Sequence, residues 1–233
     1  MTMSDMYRNG KYLLQNPTWD VEDAPWKAEH IFRMLERHHL KPGTVCEVGC
    51  GCGEILCQLQ QRMDPLCIFI GYDISPQAIG LCSSRANERL EFRCGHFPEE
   101  ENVIYDLTLL VDVIEHVEDY YRLLRAVREK SRSVVLHIPL EMFVLSVLYP
   151  QFLLGQRAKV GHLHYFSKEI ALQVLRDLGY GIIDYSYTPG FSLPHNFGIR
   201  DQLLKIPRRL LFPIAPDLTA RLFGGYSLLV LVK

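Results

Sequence analysis

The 233-residue chain has no long hydrophobic run, and no segment reaches the ~20 apolar residues that a membrane-spanning helix needs. It also has little net charge, −2 at pH 7, so bulk electrostatics give no reason to expect nucleic acid or an anionic membrane as a partner. The polar start from Met1 to Arg8 lacks the apolar core of a signal peptide. These absences predict a cytoplasmic protein without a stable membrane span.

A disulfide framework and a structural zinc site are also missing from the pattern. All seven cysteines lie between Cys46 and Cys94, and none shows the paired C-x-x-C spacing of a zinc site. We interpret them as small core residues of a protein in a reducing compartment. Internal repeats and low-complexity linkers are absent as well. With 48% hydrophobic residues, the chain is predicted to fold as one globular domain over 1–233.

What the chain does contain is a glycine at every second position after a short apolar strand. Gly49, Gly51 and Gly53 follow the strand that begins at Val45, and helical periodicity begins at Ile55. Glycine lets a ligand approach the main chain, and the free N–H groups of the following helix point at that ligand. Ligands of open α/β sheets bind beyond the carboxyl ends of the strands, so the segment predicts a nucleotide-type cofactor loop. Its G-x-G-x-G spacing differs from the G-x-G-x-x-G of dinucleotide enzymes.

Three further apolar strands end in residues suited to a cofactor. The second ends in Asp73, whose carboxylate can accept ribose hydroxyls, and Ser75 with Pro76 then predicts the start of a helix. The third ends in Gly95, His96 and Phe97. The fourth is nearly unbroken in its apolar character and runs into the D-V-I-E-H segment at 112–116, as expected for a buried parallel strand.

Together these segments resemble the class I S-adenosylmethionine (SAM)-dependent methyltransferases. The resemblance implies SAM as the cofactor and a doubly wound, Rossmann-like α/β fold with a seven-stranded sheet. The expected strand order is 3-2-1-4-5-7-6, with the last strand antiparallel. His96 stands where the family usually has Asp. The cofactor-binding residues implied are Glu47, Gly49, Cys50, Gly51, Gly53, Asp73, Ile74, Gly95, His96, Phe97, Asp112 and Val113.

A second resemblance lies further along the chain. Gly161 to Ser167 is similar to the G-H-x-x-F-F-S/T turn of small-molecule and quinone-type methyltransferases, and Ser167 is expected to begin a helix. The implied reaction is methyl transfer to a small-molecule acceptor. A catalytically silent SAM-binding protein and an NAD-linked oxidoreductase are the alternatives. For a hydroxyl acceptor, His116, His162 and His164 are the candidate general bases. His162 is the weakest of the three candidates, because a histidine after Gly161 could serve only to cap the turn.

The glutamate and histidine of the D-V-I-E-H segment allow one other interpretation. With Asp112, they resemble an arrangement that some quinone methyltransferases use for a divalent metal. The same letters also occur in relatives without metal, so we assign no metal ligand.

The expected domain has four parts. A lid with the first helix covers 1–40, the SAM-binding core 41–139, an acceptor-side insertion 140–166, and the C-terminal half of the sheet 167–233. The apolar insertion could wall an acceptor pocket, form a dimer face or rest on a membrane surface, so surface association and a monomer or homodimer all stay open.

One later segment bears on the membrane alternative. The basic, apolar stretch 203–212 supports surface association, and Pro207 is expected to break its helix.

Overall fold

The computed structural model describes residues 6–7, 9–19, 21–99, 103–193 and 199–233. A seven-stranded sheet has the order 3-2-1-4-5-7-6, with β7 antiparallel to both of its neighbours. The predicted α/β fold and strand order are therefore confirmed. The strands are β1 Thr44–Val48, β2 Ile68–Asp73, β3 Leu90–Cys94, β4 Tyr105–Val111, β5 Ser131–Pro139, β6 Ile182–Thr188 and β7 Ser227–Val232.

Helices cover both faces of the sheet. Ser75 and Ser167 accept hydrogen bonds from the backbone N–H groups of Ala78 and Ile170, as N-caps should. The helices are α1 Lys11–Gln15, α2 Ala24–Arg37, α3 Glu54–Gln60, α4 Pro76–Cys82, α5 Tyr120–Glu129, α6 Val144–Leu148, α7 Gln151–Lys159, α8 Lys168–Asp177, α9 Ile199–Leu211 and α10 Pro216–Phe223.

Pro207 corrects one expectation. Helix α9 continues through it to Leu211 instead of ending before it. A proline removes one backbone hydrogen bond but does not exclude helical φ, and packing of the helix can offset that loss.

The sheet places the carboxyl ends of its central strands at one edge. Leu109 and Leu110 of β4 are both buried but point to opposite faces, as alternation along a strand requires. One face packs against α2 and α3 and the other against α5 and α8. Burial on both faces explains the continuous apolar character of β4. The loops after β1, β2, β3 and β4 therefore open onto a common space.

No helix within the described ranges is long and apolar enough to cross a membrane.

Candidate functional site

A cavity of about 700 Å³ lies at the carboxyl ends of the parallel strands. This volume is within the range of about 300–1,000 Å³ that is usual for small-molecule and cofactor sites. The glycine loop and the ends of β2, β3 and β4 line it, together with the N-terminal arm and parts of the insertion. Of the residues predicted for the site, all except Gly53 and His164 are among the described residues that line the cavity.

The glycine loop has the backbone that its sequence predicts. Gly49, Gly51 and Gly53 have φ of 76°, 53° and 77°, in the left-handed region that favours glycine. A Cβ at Gly53 would lie 2.3 Å from a ring carbon of Phe92. Gly53 therefore serves close packing behind the loop, while Gly49 and Gly51 border the cavity.

Asp73 ties the second strand to the glycine loop. Its Oδ2 accepts a hydrogen bond from the Gly51 N–H at 2.9 Å, and its Oδ1 accepts one from the Ser75 N–H at 2.8 Å. Burial raises the pKa of Asp73 to about 6, against the opposing effect of these backbone hydrogen bonds. The carboxyl thus holds the loop in place while bordering the cavity.

Glu47, at the end of β1, is a buried carboxyl that lines the cavity. Burial raises its pKa well above the usual range, and the positive charge of Lys27 opposes this shift. Its Oε2 has no hydrogen-bond partner among the described residues. A ligand with a cationic or N–H group would satisfy that oxygen, so Glu47 fits a place in the cofactor site.

The end of β4 carries a charged network that sequence reasoning missed in part. Asp112, predicted for the site, has a φ of 53° and accepts from Lys27 Nζ at 2.7 Å and from His137 Nδ1 at 2.6 Å. His137 Nε2 lies 2.8 Å from Thr188 Oγ1. Burial acts to raise the pKa of Asp112, but the charges of His137 and Lys27 outweigh it and hold the pKa far below its usual range. Lys27 on α2 carried no local motif that could have placed it here.

Two of the predicted histidines meet on the β5 side of the cavity. The rings of His116 and His162 are edge to face, with centroids 4.7 Å apart. His162 Nδ1 donates to Glu141 Oε2 at 2.6 Å, while Gln156 donates to the other oxygen of that carboxylate at 2.7 Å. With Nδ1 held by Glu141, Nε2 is the nitrogen of His162 that stays available to a substrate. Glu141 was not predicted for the site, because its role depends on a contact 21 residues away.

His116 has a different environment from His162. Its Nδ1 lies 2.9 Å from the hydroxyl of Tyr7, which donates to the Val160 carbonyl at 2.9 Å. Burial and the nearby charge of His162 lower the pKa of His116 to about 3. The ring is therefore neutral at neutral pH and a weak base.

Glu115 completes this cluster and is fully buried. Neither of its carboxyl oxygens has a hydrogen-bond partner in the part of the chain that the structure describes. Burial, followed by the charge of Asp112, raises its pKa well above the usual range. One ligand atom each from Glu115, His116 and His162 lie within 4.8 Å of one another, a set with the chemistry to bind a divalent metal.

The remaining predicted residues divide between cavity wall and packing. His164 Nε2 lies 3.0 Å from the Val117 carbonyl, and its ring packs edge to face against Tyr120. His96 is exposed at the cavity edge, whereas Phe97 is buried beside Tyr72. The other predicted residues that border the cavity are Cys50, Ile74, Gly95 and Val113.

The N-terminal arm lies across the cofactor loop. The Trp19 ring approaches Gly51 so closely that a Cβ there would lie 2.7 Å from Trp19 Cδ1. Tyr12 packs between Tyr7 and Trp19, with centroids 4.8 Å from each. The arm thus covers the cavity from the loop side to the histidine side.

Comparisons with solved structures agree with this architecture. The fold is similar to that of a putative methyltransferase in complex with the Trm112 methyltransferase activator from Haloferax volcanii. The two chains are 15% identical with a TM-score of 0.68, over 99% of this chain and 96% of the other. It is also similar to magnesium protoporphyrin IX methyltransferase from Synechocystis PCC 6803 with bound S-adenosylhomocysteine. Here the identity is 16% and the TM-score 0.60, over 89% and 82% of the two chains.

Sequence comparisons match a smaller region of a curated protein and most of a family model. The chain is 31% identical over 91 residues to a tRNA (carboxymethyluridine(34)-5-O)-methyltransferase of Arabidopsis thaliana. The match spans 39% of this chain and about a fifth of that relative, 21%. The model of the methyltransferase domain matches residues 24–185, well over half of the chain. The chain therefore belongs to the methyltransferase-domain family.

Proposed function

We propose that the protein transfers the methyl group of SAM to a hydroxyl group of a small, largely apolar molecule. The observation that carries the proposal is the Glu141–His162 pair, which supplies a base on the β5 side of the cavity. The glycine loop and Asp73 lie on the β1–β2 side, so a cofactor and an acceptor would lie side by side along the edge of the sheet.

The cofactor end of this proposal rests on the carboxyls that border the cavity. Asp73 would accept the ribose hydroxyls, and the unpartnered oxygen of Glu47 would face a donor group of SAM. The sulfonium methyl group is already activated, so the protein mainly aligns the acceptor with the S–CH₃ bond. Such alignment can supply roughly 7–11 kcal/mol of the barrier.

His162 is the best-placed base of the three histidines. Glu141 fixes its tautomer and leaves Nε2 with a lone pair, the arrangement of a carboxylate-oriented general base. His116 is a weak base because its pKa is lowered to about 3. His164 is occupied by the Val117 carbonyl. Proton removal by such a base contributes about 10²–10⁴ in rate.

A small acceptor is supported by the size of the cavity and by what covers it. About 700 Å³ must hold both the cofactor and the reacting part of the acceptor. Trp19 and Tyr12 close one side, and Gln156 and Val160 of the insertion border the other. Exclusion of water by such covering segments protects the reaction centre. The chain's net charge of −2 does not favour a polyanionic acceptor.

The test is turnover with tritium-labelled SAM. The full chain would be incubated separately with the low-molecular-weight fraction of a cell extract and with bulk tRNA. We expect enzyme-dependent label in products that partition into organic solvent. Label in precipitated tRNA would contradict the small-molecule proposal, and binding of SAM without transfer to either fraction would support the catalytically silent alternative.

Treatment with a chelator distinguishes a general base at His162 from a metal site formed by Glu115, His116 and His162. Activity is expected to be unchanged after incubation with EDTA, because the proposed base acts through Nε2 of His162 without a metal. Loss of activity that Mg²⁺ or Zn²⁺ restores would instead assign Glu115, His116 and His162 to a metal.

A further inference from the structure

Apolar side chains are exposed in an unusual concentration on one part of the surface. Of the 21 exposed large hydrophobic residues in the described part of the chain, 13 lie in the two segments 142–154 and 203–218. We name the helices that carry these segments, α6, α7, α9 and α10, the apolar cap. Contiguous exposed apolar surface of this kind marks an interaction site.

The helices of the apolar cap form one surface. Helix α6 packs against α10, and α9 packs against α10. The Phe143 ring lies against Gly224 directly after α10, and it also contacts Phe152 of α7 edge to face at 5.5 Å. Arg208 of α9 donates to the Phe223 carbonyl at 2.7 Å. The two segments, some 60 residues apart in sequence, are therefore joined by specific contacts.

Helix α9 directs its apolar stripe outward. Leu203, Ile206 and Leu210 follow helical spacing and are 66%, 63% and 67% exposed, whereas Arg208 is buried. A surface helix of a globular domain normally turns its apolar stripe to the core and its charges to water. On α6 and α7, Leu148 and Leu154 are similarly exposed, at 66% and 61%.

The charge of the same region differs in sign from that of the whole chain. Segments 140–166 and 199–223 together carry seven Lys or Arg and three Asp or Glu, a net charge of +4, while the chain carries −2. Arg157, Lys159 and Arg209 are exposed beside the apolar side chains. An apolar face bordered by basic residues is complementary to an anionic lipid surface, where headgroups meet the charges and acyl chains meet the apolar residues.

We propose that the apolar cap docks on the surface of an anionic phospholipid bilayer. The 13-residue helix α9 would lie flat with its outward stripe among the acyl chains, at the depth of about 5–10 Å that interfacial helices reach. On its inner side, α7 contributes Gln156 to the cavity wall. The cap thus lies between the lipid surface and the acceptor side of the cavity. This inference does not depend on the identity of the acceptor.

Vesicle flotation with the full chain tests the proposal. Vesicles of phosphatidylcholine alone would be compared with vesicles of equal parts phosphatidylcholine and phosphatidylglycerol. We expect flotation with the anionic vesicles, much less with the neutral ones, and a decrease as salt concentration rises. No flotation with either, or equal flotation with both, would overturn the proposal.

Matched variants identify the surface that binds. Ile206→Ser with Leu210→Ser removes part of the stripe, and Arg157→Glu with Lys159→Glu reverses two basic charges. Each basic residue near an anionic surface changes affinity by about fivefold, so the charge pair should lose about 25-fold or more, and the serine pair at least about tenfold. Leu66→Ser with Ile104→Ser, at 84% and 67% exposure outside the cap, is the control and should bind as wild type.

Two further measurements separate other occupants of the cap. Affinity for SAM should be equal in all variants, which verifies the fold. A dimer in analytical ultracentrifugation that the serine pair dissociates would assign the cap to a second copy of the chain. A gel shift with tRNA that the charge pair abolishes, without vesicle binding, would assign it to RNA. Either result would overturn the lipid proposal.

Discussion

On the cofactor side of the cavity, Gly49 and Gly51 lie in the loop directly after β1, and Asp73 is the last residue of β2. On the acceptor side, the hydroxyl of Tyr7 contacts both Nδ1 of His116 and the carbonyl of Val160. Val160 lies 153 residues after Tyr7 in the chain. The cofactor side is thus built from short local motifs, and the acceptor side from distant segments that meet only after folding. The difference teaches that substitutions on the two sides should separate SAM binding from methyl transfer.

The largest expected effect is on transfer alone. His162→Ala should lower kcat by about 10²–10⁴, because the carboxylate-oriented base is lost, while the SAM affinity changes less than about twofold. Isothermal calorimetry with SAM and turnover of the identified acceptor would measure the two quantities. His164→Ala is the matched control, since that ring is held by the Val117 carbonyl, and it should retain kcat. Equal losses of kcat in both variants would contradict the proposed role of His162 as the general base.

The next effect should fall on SAM binding alone. Asp73→Asn removes the charge from bonds worth about 1.5–3 kcal/mol each, so SAM affinity should fall about 10- to 100-fold. Asp184→Asn, which alters an ion pair with Arg37 outside the cavity, is the control. Unchanged affinity in calorimetry would show that Asp73 serves only to hold the glycine loop.

The pH dependence of SAM binding sharpens the same assignment. Burial raises the pKa of Asp73 to about 6, so the folded protein takes up a proton there as the pH falls through that value. The protonated carboxyl no longer accepts from both the loop and the ribose. We expect SAM affinity to be constant above about pH 7 and to fall by up to about tenfold per pH unit below 6, and this fall should be absent in the Asn variant.

A smaller effect should appear in stability on the acceptor side. The pKa of Glu115 is raised in the folded protein, so its contribution to stability is full below the unfolded pKa of ~4.3 and is lost as the pH rises. Glu115→Gln should therefore increase the free energy of unfolding at pH 8 by about 1–3 kcal/mol, and the melting temperature should rise with it. The increase should be smaller at pH 5. Thermal melts without ligand would measure this. A destabilised variant at pH 8 would mean that the buried carboxylate has a stabilising partner.

The smallest expected effect is a spectroscopic one. Trp19 lies over Gly51 and Trp26 borders the same cavity, so saturating SAM should change the emission of tryptophan. Trp19→Phe should lose more of this change than Trp26→Phe, because Trp19 contacts the cofactor loop directly. An emission spectrum that SAM leaves unchanged would indicate that the N-terminal arm serves only for packing.

Several features of the fold and site were predictable from the sequence. The seven-stranded order followed from the alternation of strands and helices together with the family resemblance. The caps at Ser75 and Ser167 followed from residue type. The helix through Pro207 did not, because tertiary packing can offset one lost backbone bond.

The ranking of the histidines also required the fold. Sequence reasoning placed His162 below His116 and His164, because a histidine after Gly161 could serve only to cap the turn. Their hydrogen-bond partners, which favour His162 instead, are visible only in the structure. Glu141 orients His162, the Val117 carbonyl occupies His164, and burial weakens His116 as a base. Lys27 forms an ion pair with Asp112 that no sequence signal predicted, because a lysine at this position of α2 is typical of an ordinary surface residue.

By itself, the sequence determined those features whose physical cause lies within a few residues. They are the left-handed glycines of the cofactor loop, the buried parallel strand β4, the helix starts and the carboxylate at the end of β2. Only the tertiary structure decided which side chains contact one another across the cavity and which proton each of them holds. Contact and desolvation depend on distances through space between residues far apart in the chain, and local patterns do not encode those distances. The same reason explains why the sequence indicated the apolar insertion and the stretch 203–212 only as separate candidates for a membrane surface. The folded molecule joins them into the apolar cap and turns the stripe of α9 outward.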